Sequence, residues 1–300
     1  MAEEALEIRF WGVRGSLPSP GNDTALVGGN TSCVEVTGGG SRVILDAGSG
    51  IRALGDALVK AGEHKRVHLL LSHVHWDHVM GIPFFTPLYV PGCEVVIGSG
   101  PLERDGASGK RLPLREVLQR QMTPPLFPID FDSVSGRVTT VDLEPDSAFT
   151  VGRLEVTMAT LSHPDPVWAY RISFGGHSVV YATDTEHEEG KIDERLVRLA
   201  RGADVLIYDA QYTPEEYRGE LGPSKKGWGH STYEAGAAVA RAAGAKTLVL
   251  FHHDPRRTDE GVAEIVQRGR AVFPNTVAAR ESLSLRFEAE THRMGAVSVA

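Results

Sequence analysis

Leu69-Leu70-Leu71-Ser72-His73-Val74-His75-Trp76-Asp77-His78 decides how this chain is read. Val67 to Leu71 reads as an apolar strand of the kind covered on both faces. It stops at Ser72, and His73, His75, Asp77 and His78 follow within six residues. Residues two apart in an extended segment point the same way, so His73 and His75 share a side; Asp77 and His78 come after the chain has begun to turn. Imidazole and carboxylate suit zinc, manganese or iron. Four such groups crowded at one strand end would be costly to bury without a cation. One histidine after a strand would read as a solvated loop residue; this pattern reads as a metal-ligand set.

Two metal ions need further ligands, and the same rule, a polar group just past a strand, finds them. His163 follows Met158 to Leu161, Asp184 follows Val179 to Ala182, and His252 follows Leu248 to Phe251. Each alone reads as a loop residue. Together they complete a set in which three histidines and a carboxylate serve one ion and two carboxylates and two histidines the other, with Asp184 shared. His253 and Asp254 compete for the last place, and His252 is preferred because it comes first after its strand. Asp77 is assigned a catalytic role as well as a ligand's. His230, in Gly227-Trp228-Gly229-His230-Ser231-Thr232, stands before a helix that Ser231 or Thr232 could cap. It reads equally as a helix-start residue and as a non-ligand acid that protonates a leaving oxygen.

Around these residues the elements follow from periodicity. Leu6 to Phe10 reads as a strand. Cys33 to Val36 and Val43 to Leu45 read as a hairpin around Gly38-Gly39-Gly40. Ile51 to Ala61 has helical spacing and stops at Gly62. Val95 to Ile97, Phe149 to Ala159, Ala169 to Phe174, Ser178 to Ala182, Val205 to Tyr208, Thr247 to Phe251 and Leu283 to Phe287 read as strands. Ile192 to Ala200 and Thr232 to Ala243 read as helices. Residues 98–135, with a helix over Leu112 to Gln121 broken by Pro124, Pro125 and Pro128, read as an insertion or surface arm. Each half passes from paired strands to strand–helix alternation, which predicts an α/β fold of two facing sheets with helices outside.

The 300 residues, 41% hydrophobic, fit one large domain, taken as 1–300, or two fused half-domains. No apolar run approaches the roughly 18 residues of a membrane helix, and the acidic start is unlike a secretion signal; cytoplasmic residence is the expectation. Cys33 and Cys93 form neither a disulfide framework nor a Cys-rich zinc site. A net charge of −8 argues against a general nucleic-acid binder. His64, His68, His177, His187 and His292 read as ordinary surface or strand residues. Gly12 to Ser16 reads as a turn, with a phosphate-approaching loop as the alternative. Gly98-Ser99-Gly100 lacks the pattern of a nucleotide loop, and no serine has a Gly-x-Ser-x-Gly setting.

The His-x-His-x-Asp-His run at 73–78, with Asp46, His163, Asp184 and His252, resembles the metallo-β-lactamase-fold hydrolase superfamily. The branch it is most similar to is that of tRNase Z and cyclic-phosphate phosphodiesterases, whose extra histidine motif His230-Ser231-Thr232 resembles. The resemblance implies an αββα sandwich of two facing mixed sheets, and two divalent ions per chain, zinc first and manganese or iron as alternatives. It implies His230 as a catalytic residue. Aspartate at 184, where many β-lactamases carry cysteine, disfavours β-lactamase activity. The activity expected first is hydrolysis of a cyclic nucleotide or other small phosphodiester through a metal-bridging hydroxide. The alternatives are ester, lactone or thioester hydrolysis, tRNA 3′-end processing, and last a non-catalytic metal-binding sensor. tRNA is ranked below small phosphodiesters because the 98–135 segment, though it holds Arg104, Lys110, Arg111, Arg115 and Arg120, is Pro-rich and unlike a basic tRNA arm. No membrane partner is expected, and a homodimer is the assembly entertained.

Overall fold

The computed structural model describes residues 4–102, 109–134 and 137–289; Arg104 and His292, singled out above, lie outside the described residues. The first half contributes β1 (Ala5–Gly12), β2 (Cys33–Gly38), β3 (Ser41–Leu45), β4 (Arg66–Leu71), β5 (Glu94–Ser99) and β6 (Val138–Asp142). The second contributes β7 (Ala148–Val151), β8 (Leu154–Thr160), β9 (Trp168–Phe174), β10 (His177–Ala182), β11 (Val205–Asp209), β12 (Thr247–Phe251) and β13 (Thr276–Ala278); β14 (Ser284–Glu288) crosses back to the first sheet. Two seven-stranded sheets result, ordered β14-β1-β2-β3-β4-β5-β6 and β13-β12-β11-β10-β9-β8-β7.

Both sheets change character along their width. β1 to β3 and β7 to β10 are antiparallel, and β3 to β6 and β10 to β13 are parallel. Parallel neighbours need crossovers, which here carry helices. α1 (Ile51–Ala61), α2 (Trp76–Val79), α3 (Leu114–Gln121) and α4 (Phe131–Val134) belong to the first half; α5 (Glu194–Ala200), α6 (Pro214–Arg218), α7 (Tyr233–Ala243) and α8 (Asp259–Val272) belong to the second. Strand β4 shows why the layers form. Leu70 points between the sheets among Phe10, Leu45, Tyr170 and Tyr181, while Leu69 and Leu71 point outward to Leu54, Leu58, Leu114 and Leu118. On the far side Leu206, Leu248 and Leu250 meet Leu196, Ala237 and Ile265. The chain is therefore the expected αββα sandwich.

Several elements differ from the sequence reading. Phe149 to Ala159 is two strands, β7 and β8, folded back at Gly152, whose φ of 57° lets the chain reverse within an apolar-looking run. β6, β13, α6 and α8 carry weak or mixed periodicity and had no counterpart in it. Between β5 and β6, the stretch read as an insertion or surface arm buries Leu114, Leu118, Met122 and Phe131 against the outer face of the first sheet. Among the described residues no helix is long and apolar enough to cross a membrane.

Candidate metal centre

β3, β4, β8, β10, β11 and β12 all end at one edge of the sandwich, and their carboxyl ends deliver Asp46, His73–His78, His163, Asp184, Asp209 and His252 there. Asp184 is central. Its Oδ1 lies 3.3 Å from His78 Nε2 and 3.2 Å from His252 Nε2, and its Oδ2 lies 3.7 Å from His73 Nε2. The donor atoms of His73, His75, His163 and Asp184 fall within 4.8 Å of one another, and so do those of Asp77, His78, Asp184 and His252. A third such group joins Asp184, Asp209, His230 and His252.

The group around His78 is wholly buried, and His78 and Asp77 are fixed from behind. His78 Nδ1 lies 2.8 Å from Asp46 Oδ2, so Nε2 faces the cluster. Asp46 also accepts from the Tyr181 hydroxyl at 2.7 Å and from the Ser72 hydroxyl at 2.8 Å and N–H at 2.7 Å. Such carboxylate–imidazole pairs orient metal-binding histidines. Asp77 Oδ2 accepts from the Ser16 N–H at 2.7 Å and lies 3.1 Å from His252 Nε2. The Gly12 to Ser16 turn therefore spends this N–H on Asp77, not on a phosphate. Arg14, fully buried, ties the turn down by donating to the carbonyls of Gly28 (2.8 Å) and Arg257 (2.6 Å). Gly15 runs so close to His252 that a Cβ there would come 2.4 Å from its Cε1.

The other group is more open. His73 is buried, His163 half-buried and His75 45% exposed in its side chain. His75 Nε2 pairs with Asp165 Oδ2 at 2.7 Å, which leaves Nδ1 as its free nitrogen, and His163 Nδ1 lies 3.0 Å from the Asp165 carbonyl. Ser72 Oγ is 3.0 Å from His73 Nδ1.

Four of the six non-glycine residues with positive φ among the described residues lie at the same place. Ser16 (φ 62°), Asp46 (61°), Asp184 (51°) and His252 (59°) are non-glycine residues in the left-handed region. Each costs on the order of 1–3 kcal/mol unless its surroundings impose it. Electrostatics agree. Burial opposes the Asp184 charge, yet His252 and His78 hold this carboxyl well below its usual range. Burial holds His73 well below its ordinary value, with His78 adding to the effect. The residues fit a divalent cation on two grounds. His73 Nε2 is buried without a hydrogen-bond partner, and His78 Nε2 faces His252 Nε2 at 3.3 Å between two carboxylates.

His230 borders this cluster. Its Nδ1 lies 2.9 Å from Asp209 Oδ2, which also accepts the Asp184 N–H at 3.1 Å. Burial works against its charge, but Asp209 and Asp184 outweigh that and push its pKa up to about 9. Thr232, not Ser231, caps α7, its hydroxyl accepting from Ala235 N–H. His253 is turned away: it is buried with Nε2 3.0 Å from the Ala279 carbonyl, and burial lowers its pKa to about 3. Asp254 pairs with Arg256. Sequence reasoning missed Asp209 and Asp165. Asp209 ends β11 and so obeyed the strand-end rule used for Asp184; Asp165 carries no such signal.

A two-sheet sandwich with this histidine–carboxylate cluster at its edge defines the metallo-β-lactamase fold. A profile of the beta-lactamase superfamily domain matches residues 41–253, and the chain belongs to that superfamily. The ribonuclease Z of Archaeoglobus fulgidus is 26% identical over an alignment of 322 positions, gaps included, spanning 93% of this chain and 97% of that protein. Among solved structures, the metallo-β-lactamase-fold protein YhfI of Bacillus subtilis superposes with a TM-score of 0.69 at 20% identity, covering 95% of this chain and all of that one (100%). The short form of human tRNase Z superposes with a TM-score of 0.61 at 20% identity, covering 93% and 98%.

Proposed function

We propose that this chain is a dinuclear metal-dependent phosphodiesterase, and that its substrate is an RNA phosphodiester of the kind processed at tRNA 3′ ends. The observation that carries the metal-centre reading is Asp184, whose two carboxylate oxygens face two separate histidine groups. His73, His75, His163 and Asp184 would hold one ion, and Asp77, His78, His252 and Asp184 the other. Zinc is the ion that three-histidine and mixed histidine–carboxylate sets favour first. Two ions so held supply an activated water and neutralise phosphoryl oxygens during in-line displacement.

The protein's own groups do the rest. Asp46 and Asp209 fix imidazole orientations, and His230, braced at Nδ1 by Asp209, directs Nε2 as the acid for the leaving oxygen. Names among the curated relatives favour RNA over the small phosphodiester that the family resemblance put first. The small-substrate reading keeps support from the net charge of −8, which is unfavourable for polyanion binding at large. One screen tests both: metal-loaded protein is offered a 3′-extended tRNA, a cyclic nucleotide, bis(p-nitrophenyl) phosphate and a simple carboxylic ester. Endonucleolytic trimming of the tRNA is the expected result. Cleavage of the cyclic nucleotide alone would move the substrate to small diesters, and cleavage of the ester alone would refute phosphodiester chemistry.

A further inference from the structure

Trp228 is 55% exposed, yet the loop that carries it is fastened on both sides. The Glu186 carboxylate accepts the N–H of Gly227 at 2.6 Å and of Gly229 at 2.8 Å, and the Tyr217 hydroxyl at 2.8 Å. These two glycines flank the indole and hold φ of 84° and 83°, a conformation that a side chain would resist. Gly229 also lies against His163, where an added Cβ would come 2.1 Å from Cδ2. Glu186 follows Asp184 by two residues, and its own N–H donates to the Ser162 carbonyl at 2.6 Å. The backbone that carries the indole is thus fixed relative to His163 and Asp184. Lys225 Nζ lies 4.0 Å from its ring centroid.

A lone exposed aromatic needs no explanation; one presented on a braced loop beside a candidate catalytic centre is preorganised to bind. An aromatic face binds planar groups at low ordering cost; Lys225 lies over one face of the indole, which leaves the opposite face for a ligand that is both planar and anionic. We propose that Trp228 is a base platform: it stacks the nucleobase of the nucleoside whose oxygen leaves, with Lys225 at the adjoining phosphate. This rests on the phosphodiesterase reading and names which part of the substrate the site reads beyond the phosphate.

The test measures binding, so that it stands apart from turnover. Adenosine monophosphate and ribose 5-phosphate are titrated calorimetrically into the metal-loaded full chain and its Trp228→Ala and Trp228→Phe variants. Base–aromatic stacking predicts that the wild type prefers the nucleotide by about 5- to 150-fold. Trp228→Ala should bring that ratio near one, Trp228→Phe should keep most of it, and all three should bind ribose 5-phosphate alike. An unchanged ratio in Trp228→Ala overturns the proposal. So does a variant that alters only the oligomeric state, which would place the indole at a contact between copies of the chain. Failure of the phosphodiesterase reading shows separately, as a wild type that hydrolyses no phosphodiester.

Discussion

On one side of Asp184 the ligand group is sealed, and on the other it is open. His78 and His252 have no exposed side chain; Asp46 braces His78, the Ser16 N–H braces Asp77, and Asp209 lies 3.6 Å from His252 Nδ1. His75 and His163, by contrast, reach the surface and both lean on one half-exposed residue, Asp165. The difference teaches how one edge can combine rigidity with access. Burial and charge-assisted hydrogen bonds fix the inner group, while the outer group stays open to solvent.

The largest expected effect comes from the residue the two sides share. Asp184→Ala should empty both groups, with elemental analysis falling from two ions per chain to none and turnover falling to background. One ion retained with near-normal turnover would show that the sides do not depend on a common carboxylate. His230→Ala asks whether the inner side has a further ligand. Both ions should remain, while turnover on a diester with an alkoxide leaving group drops roughly 10²–10⁴-fold and hydrolysis of a nitrophenyl diester drops far less. Loss of metal would instead assign His230 to the inner group.

The supporting carboxylates sharpen the contrast. Asp46→Asn, acting behind buried His78, should weaken metal binding by about 10–100-fold. Asp165→Asn, in a half-exposed pair worth about 0–1 kcal/mol, should weaken it less than that; equal effects, read by chelator competition, would remove the distinction. The smallest effects come from the glycines. A Cβ at Gly15 drives into His252, which has no exposed side to retreat to, and Gly15→Ala should cost about 1–3 kcal/mol by thermal denaturation. At Gly229, where φ is 83°, the neighbour His163 is only half-buried, so the cost should be mainly the backbone's, about 1–2 kcal/mol.

Both groups were legible in sequence by one rule, because strand ends announce themselves. An apolar run that stops at a histidine or aspartate exposes Asp184 and His252 to inspection, and the run at 73–78 supplies the rest. Asp209 was overlooked although it closes β11 in the same way. Asp165 and Ser16 could not be read at all, since they lie in loops and act through contacts with residues 90 and 61 positions away. The fold's outline was legible because period-two and period-3.6 patterns alternate. The turn at Gly152 was hidden because apolar residues on both sides of it mimic one long strand.

The central claim is that one carboxylate serves two ions. X-ray diffraction from crystals of zinc-loaded protein, collected at the metal's absorption edge, tests it most directly. Two anomalous peaks roughly 3.5–4 Å apart should flank the Asp184 carboxylate, one beside His73, His75 and His163 and the other beside Asp77, His78 and His252. A single peak, or two peaks of which one lies away from Asp184, would contradict the account.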